Sequence, residues 1–161
     1  MTKDPLTSVR IRKAKQGDAL PLAIFLRSLA IFNRINSEQP DIKAERIDRH
    51  LTICLADNSH SIYIASSADC ELVGYISIHW LPYLILRGLE GFVSELFIHA
   101  NHRGNGIGRQ LLESAKCEAT DRGCSRLSLI NFRDRDSYRR GFYAKNGWEE
   151  RLDAANFVIN L

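Results

Sequence analysis

Three glycines occupy alternate positions in the segment NHRGNGIGRQLL at 101–112, with an arginine on each side and an apolar helical pattern directly after them. A helix that begins here leaves its first backbone N–H groups without partners, and these groups, with the helix dipole, favour an anion such as phosphate. Glycine permits positive φ and lets a ligand approach the backbone without meeting a Cβ atom. The segment is a candidate phosphate-binding loop; the alternative is a flexible turn with a glycine at a tight helix–sheet contact.

A carboxylate inside an apolar strand is the second chemical feature. Glu95 lies within FVSELFI, where an ionised side chain is costly to bury without a partner. Such a group is a candidate general base with a raised pKa, or else one half of a structural salt bridge. His79 and His99, each at the end of a predicted strand, are rival bases. His99 and His102 alone are weak evidence for metal ligation, and we expect no metal site.

Composition limits the class of protein. With 161 residues, of which 45% are hydrophobic, the chain can form one domain with a substantial core. Its net charge of +3 is spread without a basic run, so we expect no nucleic-acid partner. No signal peptide or bilayer-spanning apolar run is evident, which favours a cytoplasmic protein with no membrane contact. The cysteines lack metal-ligand spacing and are interpreted as reduced core thiols: Cys54, Cys70, Cys117 and Cys124.

Hydrophobic periodicity predicts a mixed α/β layer rather than a regular βαβ repeat. Strands are predicted at 9–14, 61–66, 71–80, 91–100, 126–131 and 156–161, with an optional strand at 148–152. Helices are predicted after an Asp18 N-cap, around 47–55, from 107 to 119 and across 135–147. The strand at 91–100 is apolar nearly throughout and so is expected to be buried on both faces.

Two motifs in this order resemble the signatures of the GNAT (GCN5-related) N-acetyltransferase superfamily. ELFIHANHRGNGIGRQLLESA is similar to its coenzyme-A signature Gln/Arg-x-x-Gly-x-Gly/Ala, which Arg103, Gly106 and Gly108 fill. Farther along, GFYAKNGW resembles the second signature, a Phe-Tyr pair followed by glycine and an aromatic residue. The resemblance implies a single GNAT domain over 1–161. Its fold would be a twisted mixed sheet of six to seven strands, with helices on both faces and a splayed central parallel pair.

The same resemblance implies acetyl-CoA as co-substrate, bound where the strand holding Phe97 diverges from the strand at 127–130. The backbone of 97–99 would bind the pantetheine arm, and the amides of 103–109 would hold the pyrophosphate. The expected coenzyme contacts are Leu96, Phe97, Ile98, His99, Arg103, Gly104, Asn105, Gly106, Ile107, Gly108, Arg109, Asn131 and Tyr138. The second signature departs from the family at Asp136 and Arg139, where asparagine and alanine are usual, which weakens the expected contacts from that helix.

Resemblance also assigns chemical roles. Tyr143, in the Phe-Tyr pair, would protonate the leaving thiolate, although it could instead simply pack on the sheet. A backbone N–H near Phe97 would stabilise the oxyanion. Glu95 stands where family members often carry an acidic residue, and it would accept the proton of the attacking amine.

The sequence indicates less about the acceptor substrate than about the coenzyme. The resemblance favours direct acetyl transfer to a primary amine of a small molecule in a ternary complex, as in aminoalkylphosphonate-type enzymes. A protein acceptor (N-terminus or lysine) and a non-catalytic acyl-CoA-binding module stay as alternatives. The acceptor site would lie at the loop 31–45, with Arg34, Glu38 and Glu45, and at the apolar hairpin 79–91, with Arg87. That hairpin could instead form a homodimer contact.

Overall fold

Five strands form one sheet in the order β1-β2-β3-β4-β5 in the computed structural model, which describes residues 9–29 and 43–161. The strands are β1 (Arg10–Lys13), β2 (His60–Ser66), β3 (Leu72–Leu81), β4 (Glu90–Ile98) and β5 (Arg126–Leu129). The helices are α1 (Ala19–Ser28), α2 (Ala44–Leu55), α3 (Ile107–Asp121) and α4 (Asp136–Arg139). Arg34 and Glu38 lie outside the described residues.

Neighbouring strands in this sheet run antiparallel until the last pair. β1 with β2, β2 with β3 and β3 with β4 are antiparallel, whereas β4 and β5 are parallel. Parallel strands need a crossover connection, which α3 supplies between β4 and β5. Because β5 is the last strand of the sheet in the described residues, the parallel pair lies at an edge. The expected central position of this pair is wrong.

Helices cover both faces of the sheet, as predicted. α1 and α2 pack on one face, where Phe25 and Leu51 join Ile62, Ile64 and Tyr75 in a buried cluster. Alternate residues of β2 and β3 point to the opposite face, which α3 covers with the buried side chains Ile107, Leu111, Leu112 and Ala115. None of the helices in the described ranges combines the length and apolarity needed to cross a bilayer.

The backbone divides into two units, one ending at Leu129 and the other covering Ile130–Leu161. The single domain over 1–161 stays a prediction. In the second unit, the helix predicted at 135–147 is wrong, because α4 ends at Arg139 and Gly141 adopts φ 65°, which is incompatible with a continuing helix. A short 3₁₀ turn, Ala144–Asn146, follows it.

No strand forms at 148–152 or 156–161, so the prediction of six to seven strands is wrong for the described part of the chain. The alternating apolar pattern at 156–161 has no hydrogen-bonded neighbour strand to bury it, and Phe157 is 90% exposed. An alternating pattern is a property of one segment alone, whereas a β-strand also needs a neighbouring strand for its backbone hydrogen bonds.

Two smaller expectations were partly wrong. All four cysteines are free, as predicted, but Cys70 and Cys117 are exposed, so these two thiols are not core residues, whereas the half-buried Cys54 packs against the core. Asp18 does occupy the N-cap position of α1, yet its carboxylate does not cap that helix. It accepts hydrogen bonds from Arg12 and from the backbone N–H of Lys15 at 2.8 Å, because the nearby guanidinium competes for it.

A buried carboxylate joins α3 to the sheet. Glu118 accepts hydrogen bonds from Lys13 at 2.9 Å, Ser61 at 2.8 Å, Tyr63 at 2.7 Å and Arg122 at 2.9 Å. Its neighbours therefore come from β1, β2 and the residue that follows α3. Although burial opposes ionisation, these donors together hold the pKa of Glu118 at about 2.

We expect Glu118→Gln to lower the free energy of unfolding at neutral pH by about 2 kcal/mol, the scale of a hydrogen bond to a charged group. Because the folded pKa lies below the ordinary 4.5, this stabilisation is present above that value and is lost as pH falls towards about 2. Urea unfolding across this range measures it. Glu113→Gln, on the exposed side of α3, is the control; equal pH profiles for the two variants would contradict the assignment.

Candidate active site

The parallel ladder between β4 and β5 is short and ends inside β4. Its pairs run from Glu90 with Arg126 to Val93 with Leu129. β4 continues to Ile98 and stays paired with β3 up to Gly74. Beyond Val93, therefore, the β5-facing edge of β4 has no strand partner among the described residues. A ligand that offers backbone-like donors and acceptors can extend along such an edge.

A β-bulge at Ser94 lies where this opening begins. Ser77 pairs with Glu95 and Ile78 with Val93, so Ser94 is the extra residue of β4. Ser94 contacts His79, while the Tyr75 hydroxyl acts on the Glu95 carboxylate and lowers its pKa. Tyr75 and His79 are four residues apart on β3 and share one face, so the bulge turns two consecutive β4 side chains to that face.

Glu95 is partly enclosed by protein. Its side chain is exposed, yet surrounding protein desolvates the carboxylate enough to raise its pKa. The Tyr75 hydroxyl and the charge of His50 on α2 oppose that shift. Tyr75 is itself buried and packs edge-on against Phe25 of α1 at 5.9 Å between ring centroids. Among the described residues, the groups that act on this carboxylate are thus a hydroxyl and an imidazole, not a lysine or an arginine.

The rival base His79 has its own partners on the same face. Its Nε2 lies 3.0 Å from Ser94 Oγ, and its ring centroid lies 4.4 Å from that of His60. Burial, and to a lesser extent His60, lower the pKa of His79 and favour the neutral imidazole. His99 lies apart from this group, at the end of β4, where its Nδ1 accepts from the backbone N–H of Asn101 at 3.4 Å.

The glycine segment forms the entry to α3, as predicted. After a 3₁₀ turn at Ala100–His102, the Arg103 side chain donates to the carbonyl of Ile98 at 3.1 Å. Gly104 and Gly106 have φ values of 81° and 77°, which favour glycine strongly. Gly106 is the N-cap of α3 and supplies no side-chain cap to the first amides of the helix. A Cβ atom at either glycine would meet nothing within 4 Å, so positive φ rather than lack of space favours glycine at these positions.

This arrangement is suited to a diphosphate. The first-turn amides of α3, at 107–109, carry the positive end of the helix dipole and have no side-chain acceptor. Arg109 lies in the same turn and adds a cationic side chain. An opened parallel pair followed directly by a glycine-capped helix is the pattern that the resemblance implies.

Comparison with known proteins agrees with this geometry. The model of the acetyltransferase (GNAT) family matches residues 27–148. The chain belongs to the GNAT acetyltransferase family. It is therefore an enzyme, an acyl-CoA-dependent N-acetyltransferase, and the expected fold class is confirmed.

Individual relatives extend over most of this GNAT chain. Thialysine N-epsilon-acetyltransferase of Bos taurus is 28% identical over 141 residues, covering 81% of each protein. Aminoglycoside N(6')-acetyltransferase type 1 of Stenotrophomonas maltophilia is 30% identical over 115 residues, covering 69% of this chain and 74% of that protein. The structure of an acetyltransferase with acetyl-CoA from Clostridium acetobutylicum has TM-score 0.73 and 21% identity, covering 94% of this chain and 96% of that one.

Three predicted site residues lie in the second unit of the GNAT chain. Tyr143 is half-buried between Phe142 and Trp148, with ring centroids at 5.0 and 6.1 Å, and burial raises its pKa. Asn131 accepts a hydrogen bond from Ser137 at 3.0 Å. Tyr138 donates to Glu150 at 2.9 Å. Because burial raises the pKa of Tyr143, its hydroxyl stays protonated at neutral pH and can act as a donor.

The sequence pattern did not reveal that Tyr75 lies beside Glu95 or that His79 lies beside Ser94. Each stands in an ordinary strand pattern, and only the register between β3 and β4 brings them together. The apolar hairpin is also shorter than expected, because β3 reaches Leu81 and β4 starts at Glu90. Its tip exposes Leu84 and Ile85 almost completely.

The glycine loop gives a direct binding test. Acetyl-CoA should raise the melting temperature of the wild type by mass action, and Gly106→Asp should abolish this increase. The substitution places a negative charge at the helix N-terminus, where the diphosphate is expected. Differential scanning fluorimetry measures the shift.

Gly123→Asp is the matched control. Gly123 follows the other end of α3, has φ 68° and also faces open space, so the added strain and charge are comparable. The control should keep the acetyl-CoA shift. Loss of the shift in both variants would mean that strain or charge in general, rather than position in the loop, is responsible.

Proposed function

We propose that this enzyme transfers the acetyl group of acetyl-CoA to a primary amine of a small molecule. The observation that carries the proposal is the parallel pair that opens after Val93 and leads, through β4, to the glycine-capped start of α3. In the proposal, the open edge of β4 holds the extended part of the coenzyme. The amides of 103–109 hold its pyrophosphate.

The binding residues follow from this division. On β4, Leu96, Phe97 and Ile98, with His99 after them, are proposed to contact the pantetheine arm. The loop and the first turn of α3 contribute Arg103, Gly104, Asn105, Gly106, Ile107, Gly108 and Arg109. Asn131 and Tyr138 remain proposed contacts; in the structure, each is hydrogen-bonded to a neighbouring side chain.

Acetyl transfer requires two proton movements. The neutral amine attacks the thioester carbonyl carbon, a C–N bond forms, and the C–S bond breaks with the electron pair leaving on sulfur. We propose that Glu95 accepts the proton that the amine nitrogen loses and that Tyr143 donates a proton to the thiolate. Glu95 is suited to its role because, in the part of the chain that the structure describes, no lysine or arginine is among the groups that act on its carboxylate and would compete for the amine.

A small-molecule acceptor is supported by the relatives, whose names specify thialysine and an aminoglycoside. Protein or peptide amines, and acyl-CoA binding without catalysis, are the alternatives. Incubation with acetyl-CoA and a panel of small amines and peptides, followed by detection of free CoA thiol, separates the three. Release of the thiol only with small amines supports the proposal. Release only with peptides favours a protein or peptide acceptor, and release with no acceptor favours acyl-CoA binding without catalysis.

Homodimer formation, cytoplasmic location and absence of nucleic-acid binding stay predictions from the sequence.

Tyr143→Phe should lower kcat by about 10²-fold while leaving acetyl-CoA affinity nearly unchanged, because only the proton-donating hydroxyl is removed. Steady-state kinetics and calorimetric titration measure the two quantities. Tyr63→Phe removes a hydroxyl that binds Glu118 instead, and its kcat should match the wild type. Unchanged turnover in Tyr143→Phe means that the thiolate leaves without this residue.

If Glu95 is the base, kcat/KM should rise with pH through a raised carboxylate pKa, since the base must be deprotonated. Glu95→Gln should remove this limb and keep coenzyme binding. Tyr75→Phe should move the limb to higher pH, because the Tyr75 hydroxyl stabilises the carboxylate.

The ammonium group of the acceptor also titrates, so two acceptors of different amine pKa must be compared. A limb that stays fixed between acceptors and disappears in Glu95→Gln belongs to Glu95. A limb that follows the acceptor pKa in wild type and variant belongs to the amine, and Glu95 is then structural.

A further inference from the structure

A buried carboxylate lies at the first residue of β4, at the closed end of the parallel ladder. Glu90 is 6% exposed, and its Oε2 accepts hydrogen bonds from Arg126 Nε at 2.7 Å and Nη2 at 2.6 Å. Its Oε1 accepts one from Ser128 Oγ. Arg126 and Ser128 are alternate residues of β5 and share a face, so one carboxylate holds two positions of the neighbouring strand.

Further contacts fix the same end of β5. The Ser125 backbone N–H donates to the Leu89 carbonyl at 2.8 Å, and the Ser125 hydroxyl lies 3.3 Å from the same oxygen. Gly88 approaches so closely that a Cβ atom there would clash with the Gly123 carbonyl oxygen. The strand is therefore held at its start, three residues before the ladder ends at Leu129.

Stability alone does not account for this ion pair. A buried pair often adds no more stability than apolar residues of the same volume, and its best-attested use is to fix register. The β4–β5 ladder has only four residue pairs, and parallel pairs are slightly less stable per residue. A slip of β5 by two residues would separate Arg126 from Glu90 while keeping the same side chains on each face.

We propose that Glu90 is a positioning residue that sets the register of β5 and thereby the opening beside β4 in which the pantetheine arm of the coenzyme binds. This inference rests on the proposed function. Glu90 acts through β5 and does not touch the substrates. The glycine loop before α3 depends on its own backbone geometry, so diphosphate binding there is independent of Glu90.

Two ligands separate these parts of the site. In the proposal, acetyl-CoA occupies both the opening and the loop, whereas ADP carries a diphosphate and adenosine but no pantetheine arm. Glu90→Gln should weaken acetyl-CoA binding about tenfold, the effect expected when a charged hydrogen-bond acceptor is lost. ADP binding should be unchanged. Isothermal titration calorimetry, at a temperature where circular dichroism shows folded protein, measures both dissociation constants.

Glu118→Gln is the matched control, because it neutralises another buried carboxylate paired with an arginine and lies outside the proposed site. It should lower stability without changing either dissociation constant. Ser128→Ala removes only the contact to Glu90 Oε1, so it tests the inference if Glu90→Gln does not fold. It should raise the acetyl-CoA dissociation constant less than Glu90→Gln, again without effect on ADP.

A cycle with Arg126→Gln completes the test. If both residues act through the same pair, the double variant should bind acetyl-CoA about as weakly as either single variant. Equal weakening of ADP and acetyl-CoA by Glu90→Gln, or unchanged acetyl-CoA binding, overturns the inference. If the wild type binds no acetyl-CoA, the proposed function fails. If Glu90→Gln binds acetyl-CoA as tightly as the wild type does, only the inference about Glu90 fails.

Discussion

The short parallel ladder between β4 and β5 is the constraint on which the rest of the site depends. It must be paired at one end to hold β5 in the sheet, and it must end at Val93 to leave the rest of β4 accessible on that side. The antiparallel pairing with β3 continues on both sides of the Ser94 bulge as far as Ile98, so β4 keeps one paired neighbour where its other edge is open. One 3₁₀ turn, Ala100–His102, separates the end of β4 from the glycine loop, so the open edge and the start of α3 follow each other closely along the chain. A thioester coenzyme with an extended arm and a diphosphate matches that order.

Three glutamates in or beside the sheet have different partners, and these partners distinguish the two structural carboxylates from the proposed base. Glu118 is surrounded by Lys13, Arg122 and two hydroxyl donors, and its pKa falls to about 2. Glu90 is held by Arg126 and Ser128 at the closed end of the ladder. The Tyr75 hydroxyl and the charge of His50 act on Glu95, and desolvation by the surrounding protein raises its pKa. A carboxylate compensated by guanidinium groups is a poor proton acceptor, whereas a raised pKa, as at Glu95, favours proton acceptance.

Local patterns in the sequence were sufficient for much of the fold. Alternation at Ile62 and Ile64, helical spacing at Leu111 and Ala115, and the glycines before α3 each encode a preference within one segment. The Ser94 bulge and the pairing of Tyr75 with Glu95 depend on register between two strands, which neither strand encodes alone. The errors have the same origin. The 156–161 segment alternates without a partner, and Gly141 ends a helix whose apolar spacing continues past it.

The contrast between local patterns and strand register also explains why the sequence indicated the acetyl donor, acetyl-CoA, but not the amine acceptor. A diphosphate is bound by backbone amides, and backbone geometry requires glycine at fixed spacing, which leaves a motif in any sequence. In the proposal, an amine acceptor is bound by side chains around Glu95, which come from β3, β4 and α2 and have no fixed spacing between elements. On that proposal, the acceptor can change through single side chains on the α1–α2 face while the ladder and the glycine loop stay the same. Substrate diversity among thialysine and aminoglycoside acetyltransferases is consistent with that separation.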